Sequence, residues 1–340
     1  TSKYEGLVSP SYAVYRSLVE CNTTYLGYLY RTPNYLAEFA RRSTGVVPSR
    51  WRMYTEDFGQ VLTLLPPIEV QKHIVSFLDQ KTAEIDEAIA KKQKLIERLQ
   101  EQKSILINQA VTKGLNPDAP MKDSGVEWIG KIPAHWESYR LKFTFDRIEQ
   151  GWSPQCFNYV AEENVWGVLK VGCVNGYTFN SQENKVLPPN LKPRTNLEIQ
   201  HNDILISRAN TLDLVGSAVR VVHPRKKLIL CDKLYRVRAN EDIIIPDFFI
   251  FALQTRESRE QIQLGANGAS DTMQNIGQDV IKNLWVPVPP VSEQEAILTE
   301  LSSHSQLIND TKNKFEEEIQ ALSEFKATLI SSSVTGKIKV

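Results

Sequence analysis

Cysteine is scarce in this sequence. There are four in 340 residues (Cys21, Cys156, Cys173 and Cys231), far apart and with no Cys-x-x-Cys pair. Such spacing argues against a disulfide framework and a clustered zinc site, and suits a reducing cytoplasm. The five histidines (His73, His135, His201, His223 and His304) show no metal-ligand spacing. There is no run of about 18 apolar residues, so no membrane-spanning helix is expected. The opening TSKYEGLVSP has no basic stretch followed by an apolar core, so no secretory signal is expected either. The phosphate loop is missing, because Gly336-Lys337 lacks a glycine five residues earlier. There is no Gly-x-Gly-x-x-Gly. The pairs Pro66-Pro67, Pro188-Pro189 and Pro289-Pro290 do not form the Asn/Asp-Pro-Pro-aromatic loop of an adenine methyltransferase. Nothing marks the chain as an enzyme by itself, and no cofactor is expected in it.

Net charge is also absent, with 40 Lys+Arg against 40 Asp+Glu. That zero is a sum of unlike parts. Residues 139–238 hold 15 basic and 9 acidic residues, whereas 292–326 hold 3 and 8. The basic segment suits a polyanion, and the acidic one suits a basic partner surface.

What the chain does have is an internal repeat. Pro66-Pro67-Ile68 recurs as Pro289-Pro290-Val291, an offset of 223. The same offset matches Gln71 with Gln294, Ile74 with Ile297, Leu78 with Leu301 and Val111-Thr112 with Val334-Thr335, and upstream Gly45 with Gly268. Of the 50 positions from 64 to 113, 15 are identical to their counterparts. Residues 7–113 and 230–336 are therefore two copies of one unit. About 110 residues precede the second copy and only a handful the first. The expectation is a fragment or short form of a protein near 450 residues, with the front of its first domain absent.

Each copy ends in a long helix. Leu78, Ile85, Lys92, Leu99 and Leu106 are spaced by seven, as are Leu301, Ile308, Phe315, Leu322 and Leu329. The first run is expected over 71–112 and, at about 1.5 Å per residue, is about 60 Å long. A stripe this narrow needs a partner helix, and the other copy is the obvious one. Glu316-Glu317-Glu318 against Lys91-Lys92 and Lys94 favours that pairing, although these charges also suit solvated faces. The stripe alone also suits a bundle core in a compact domain.

Between the helices the texture changes to short β-branched and aromatic runs: 165–169, 203–207, 217–222, 228–230 and 233–237. Asn175-Gly176 is a hairpin signal. Pro246-Asp247 opens a helix expected over Phe248–Gln263. The fold class expected is α+β: globular recognition-type domains of mixed strands and helices, joined by two long helices in an antiparallel intramolecular coiled coil. The segments expected are 1–65, 66–114 (first long helix), 115–138 (linker), 139–288 and 289–340 (second long helix).

Three stretches carry a resemblance. They are Met121 to Trp136 (MKDSGVEWIGKIPAHW), Val286 to Gln294 (VPVPPVSEQ), and Leu329 to Lys337 (LISSSVTGK), the last echoed by Leu106 to Gly114 (LINQAVTKG). The chain resembles the specificity subunit of type I restriction–modification enzymes over its whole length. The resemblance implies two target-recognition domains, each followed by a long helix, with the helices antiparallel. Each domain would read one half of a split, asymmetric site in double-stranded DNA, and the helices would act as a ruler for the spacer. The implied partners are two modification subunits that methylate adenine with S-adenosylmethionine. Restriction subunits, with ATP and Mg, would join them. No membrane is implied, and the place of action would be the cytoplasm. The lost front half of the first domain puts its own half-site reading in doubt.

Phosphate contacts give affinity and base-edge contacts give sequence choice. In the second domain the phosphate candidates are Lys170, Arg194, Arg225, Lys226 and Lys227, of which 225–227 also suit a solvated hairpin tip. Arg208 and Asn210, placed in a loop after a strand, suit guanine and adenine edges, or else loop-fixing bonds. The polar glycine-rich stretch 265–275 adds Asn267, Thr272, Gln274 and Asn275, and is equally readable as a capping loop. In the first domain Arg41, Arg42, Arg50 and Arg52 surround the corresponding loop, where Trp51 stands in place of Gln274. A coiled-coil scaffold without sequence-specific DNA binding is the alternative. It would keep the helices and need no basic segment.

Overall fold

The computed structural model describes residues 13–45, 51–176, 178–270 and 273–340. It is α+β. In chain order come α1 (Thr23–Leu29), α2 (Pro33–Arg42), α3 (Thr55–Gly59) and the long α4 (Ile68–Lys113). Strands β1 (Met121–Asp123), β2 (Lys131–Pro133), β3 (Glu137–Arg140), β4 (Phe145–Gln150), β5 (Gly167–Leu169) and β6 (Asn184–Val186) follow. Next are β7 (Ile204–Ser207), β8 (Ala209–Asn210), β9 (Ala218–Arg220), β10 (Leu228–Ile229) and β11 (Leu234–Ala239). The chain closes with α5 (Pro246–Gln254), α6 (Arg256–Leu264), β12 (Asn267–Ser270), β13 (Met273–Asn275), α7 (Gln278–Asn283), β14 (Trp285–Val288) and the long α8 (Val291–Val334). Two compact units form. One is Thr1–Leu99 with Asp310–Val340, and the other is Gln100–Asn309.

The heptad spacing becomes helix pairing. In the first unit Lys92 bonds Glu318 and Lys326 bonds Asp86. Stepping back six residues on α4 thus advances eight on α8, so the helices run antiparallel. Lys92, the charged residue in the apolar stripe, is satisfied twice over: its ammonium also lies 5.3 Å from the Phe315 ring. Lys91 instead pairs with Glu87 along its own helix, and Glu316 with Lys312. Leu78 and Ile85 are buried, whereas Phe315, Leu322 and Leu329 are half-buried. In the second unit Leu301 and Ile308 are buried, and Leu106 is half-buried beside the buried Ile107. Leu99, the last residue of α4 in the first unit, is half-buried.

The second unit is built on a four-stranded antiparallel sheet of order β4-β11-β7-β9. All four residues of β7 are buried, because both faces of this sheet are covered. Ile204 and Ile206 enter one core with Val237, Phe248, Phe249 and Trp136; Leu205 enters another with Val219, Leu228 and Leu234. A second sheet, β10-β5-β6, has one parallel pair, β10 with β5. Residues 115–138 are folded structure and not a plain linker. β1 pairs with β2, and the buried Trp136 donates its indole N–H to Glu293 (3.0 Å).

Three expectations are corrected here. The helix foreseen over 248–263 breaks at Thr255, whose ψ of 150 is extended and whose hydroxyl caps α6 at Ser258 N–H. Asn175-Gly176 is not a tight two-residue turn: it follows a 3-10 turn, Val171–Val174, within the long connection between the antiparallel pair β5 and β6. The stretch 265–275 is not a loop, because β12 and β13 pair antiparallel within it.

The repeat is also a repeat of bonds. Gln71 accepts the Asn22 N–H (2.8 Å) and donates to the Pro66 carbonyl (2.7 Å). At the offset of 223, Gln294 accepts the Ile245 N–H (2.8 Å) and donates to the Pro289 carbonyl (2.9 Å). Thr32 donates to Leu29 O, and Thr255 to Ala252 O. The bridge Thr44↔Arg52 recurs as Asn267↔Asn275. Ile74, Leu78 and Val334 share one core, while Ile297, Leu301 and Val111 share the other. Each unit thus joins the start of one long helix to the end of the other.

Candidate nucleic-acid interface

At one end of the four-stranded sheet, Leu234 of β11 faces Ser207 of β7, and Tyr235 faces Gln150 of β4. The chain leaves β7 here and enters β8. Asn210 is therefore in a strand and not in a loop. β8 is the last strand of the sheet β12-β13-β8, and Asn210 faces Gln274 while Ala209 faces Asn275. A side chain at Gly268 would run into the Met273 carbonyl and the Gln274 amide, so glycine lets β12 close on β13. Arg208 is fixed between the two sheets. Its N–H donates to the Lys233 carbonyl (2.8 Å), and its carbonyl accepts from Ile276 N–H (3.0 Å). Its guanidinium lies beside the Tyr235 phenol, which burial pushes up in pKa and Arg208 pulls back down. The structure therefore brings Asn210, Asn267, Gln274 and Asn275 onto one small polar sheet, with Arg208 directly before its strand β8. Thr272 lies outside the described residues.

Three further residues border this surface. Asn175 accepts a bond from the Asn210 amide (3.1 Å). Lys233, whose carbonyl accepts the Arg208 N–H, is exposed. Trp152, whose N–H donates to Leu230 O, carries the Arg194 guanidinium 4.5 Å above its ring. Gly151 permits this, because a Cβ there would collide with the Leu230 and Cys231 carbonyls. The only sequence signal at these positions was the turn propensity of Asn175-Gly176.

The phosphate candidates divide. Arg194 and Lys226 are exposed. Lys170 sits 3.5 Å from Glu183. Arg225 is a tether: its guanidinium donates to the carbonyls of Ala161 (3.3 Å), Val165 (3.1 Å) and Lys226 (3.0 Å), and burial lowers its pKa from the ordinary arginine value. Lys227 donates to Asn164 O (2.8 Å). At the tip 225–227, Arg225 and Lys227 are thus tied down by loop carbonyls that require donors, while Lys226 stays exposed.

In the first unit Arg41 and Arg42 both clasp Glu38, and Arg42 also donates to Gln60 (3.1 Å). Arg52 bridges Thr44, Trp51 is exposed, and Arg50 lies outside the described residues. Hydrogen bonds from Arg41, then Arg42, hold the Glu38 carboxyl down at about 2. Because the folded value lies below the ordinary one, this contribution to stability is present above the ordinary value of 4.5 and fades as pH falls towards 2. A carboxyl titration by NMR should find the Glu38 midpoint near 2, and Arg41→Ala should raise it; an ordinary midpoint would dissolve the clasp.

Burial pushes the Cys231 thiol up to about 12, so it is chemically quiet. Among the described residues no group of three or more His, Cys, Asp or Glu is placed to hold a metal, and no helix is long and apolar enough to cross a membrane.

Residues 168–321 match the family described as Type I restriction modification DNA specificity domain. The chain is 26% identical over 223 residues to the Type I restriction enzyme EcoEI specificity subunit of Escherichia coli, covering 65% of this chain and 37% of that protein. It is 26% identical over 288 residues to the Type I restriction enzyme MjaVIII specificity subunit of Methanocaldococcus jannaschii, covering 83% and 63%. Among solved structures, one described as the structural basis of complex assembly and conformational transition of the type I R-M system has a chain of like fold. Its TM-score is 0.65 at 16% identity, over 92% of this chain and 71% of that one. Over residues 168–321 the chain carries the pattern of a type I restriction–modification DNA specificity domain, and it is similar to type I specificity subunits over most of its length. It spans less than two thirds of the length of these curated relatives.

Proposed function

We propose that the chain is a non-catalytic reader of double-stranded DNA within a type I restriction–modification assembly. The second unit reads one half of a split, asymmetric site, and the first unit contributes to the other half. The paired long helices dock two modification subunits, and restriction subunits then join. S-adenosylmethionine, ATP and Mg belong to those partners, this chain carries no cofactor, and the assembly works in the cytoplasm. The observation that carries the reading is the set Arg208, Asn210, Gln274 and Asn275 on one sheet end, inside the stretch that matches the specificity domain. Arginine and amide side chains are the groups that pair with purine edges, and exposed Arg194, Lys226 and Lys233 supply positive charge.

Fluorescence anisotropy on a random-sequence duplex tests it. If about four phosphates are neutralised, affinity should fall roughly a hundredfold between 50 and 200 mM salt. Light scattering of the chain mixed with its methyltransferase subunit should show a defined complex. Salt-insensitive binding, or none, would sink the DNA-reading proposal.

A further inference from the structure

We infer that Asn210 is an adenine-reading residue and that Asn175 is the positioning residue that fixes its amide. The inference rests on the DNA-reading function proposed above, and it assigns a base and two roles to that surface. The Thr211 N–H donates to Asn210 Oδ1 (2.9 Å). That bond settles which end of the amide is oxygen, because an NH2 in its place would set donor against donor. The Asn210 Nδ2 then donates to Asn175 Oδ1 (3.1 Å), which settles the second amide by the same logic. Two side chains 35 residues apart are thus locked in one orientation each.

What remains on Asn210 is one N–H and one oxygen lone pair on a single planar group. Adenine presents a matching acceptor and donor, N7 and N6, in the major groove, whereas guanine presents two acceptors and thymine an acceptor with a methyl group. The place also suits the task. β8 is the last strand of its sheet, so Asn210 stands at an edge, and Asn175 is exposed at the end of its 3-10 turn. A pair that only stapled this turn to β8 would influence stability and leave base choice alone. That difference makes the roles separable.

The test uses the full chain, selected on a random duplex library at low salt and then assayed on single-base variants of the selected site. Unmodified protein should prefer adenine at one position by about tenfold or more. Asn210→Ala should abolish that preference while preserving the salt slope, the preferences elsewhere and the circular dichroism. Asn175→Ala should weaken the same preference about threefold or more. Asn175→Asp keeps an oxygen to accept the Asn210 N–H. It should therefore restore adenine choice while lowering affinity for all sequences, because a negative charge now faces DNA. An adenine preference that survives Asn210→Ala overturns the reading role. Loss of preference in Asn175→Asp overturns the positioning role. If the unmodified chain shows no salt-dependent duplex binding, the proposed function itself fails. Binding with a preference indifferent to both asparagines sinks this inference alone.

Discussion

Replacing Arg236 with alanine should lower the unfolding free energy by about 3–5 kcal/mol, the usual effect of breaking a buried ion pair from one side. Arg236 is in β11 and points away from the core that holds Tyr235 and Val237, into the layer between the four-stranded sheet and residues 195–200. It is almost fully buried, so each of its donors needs a partner. Nε and Nη2 reach Glu149 Oε2 (2.8 and 2.6 Å), Nη1 reaches Glu198 O (2.9 Å), and Nη2 also reaches Asn196 O (2.9 Å). The fully buried Asp203 is 3.6 Å away, and Arg238 bonds its other oxygen (2.7 Å). Alanine would strip two carboxylates and two carbonyls of this partner at once. Arg236→Met fills more of the volume yet leaves the carboxylates unbalanced, so it should recover little. Adding Glu149→Leu to Arg236→Met should recover more, because an apolar pair carries no desolvation penalty. Urea unfolding followed by tryptophan fluorescence measures all of these. Arg147→Ala, at an exposed site on β4, should stay within about 0.5 kcal/mol of the parent. A loss below about 1 kcal/mol in Arg236→Ala would mean the network is not formed.

The parts of this fold that sequence reveals are those whose cause is local. The long helices were legible because a seven-residue apolar spacing without proline or glycine has one regular solution; the observed bounds, 68–113, differ by only a few residues from 71–112. β5, β7 and β10 were legible because strands covered on both faces read as unbroken apolar runs, and β9 and β11 as short β-branched and aromatic runs despite Arg220, Arg236 and Arg238. The break at Thr255 was hidden, since Phe248–Gln263 holds neither proline nor glycine. Its signal lay 223 residues earlier, where Thr32 is followed by Pro33 and opens α2. The site was legible as a list of residue types and not as an arrangement. Nothing near Arg225 in sequence says that it will meet carbonyls at 161 and 165, and nothing near Asn175 says that it will meet Asn210. Those partners are set by strand order, which the pattern of apolar runs does not determine.

Gln294→Ala should destabilise the second unit by about 3 kcal/mol or more, and Gln71→Ala the first unit by about 2 kcal/mol, at roughly 1 kcal/mol per buried bond removed. Gln294 is completely buried and makes three such bonds: it accepts Ile245 N–H (2.8 Å) and donates to Ile243 O (2.8 Å) and Pro289 O (2.9 Å). Gln71 makes two, to Asn22 and Pro66. In both units the amide ties the residue before a short helix to the Pro-Pro entry of a long one. The sharper comparison is with glutamate. Gln294→Glu keeps an oxygen for the Ile245 N–H, but points a second oxygen at two carbonyls and adds a buried charge. It should therefore be worse than alanine at neutral pH and recover as the carboxyl protonates and regains a donor. Hydrogen exchange read by mass spectrometry should place the loss of protection from Gln71→Ala in peptides of 13–99 and 310–340, and that from Gln294→Ala in peptides of 100–309. Equal effects of alanine and glutamate at position 294 would remove the donor role. Protection lost in the wrong unit would break the equivalence of the two copies. The expected ordering at position 294, glutamate below alanine below glutamine, follows from the orientation of its own amide, and Gln71, which accepts and donates in the same orientation, should give the same ordering in the first unit. That is also what the single match of Gln71 to Gln294 in the repeat implies.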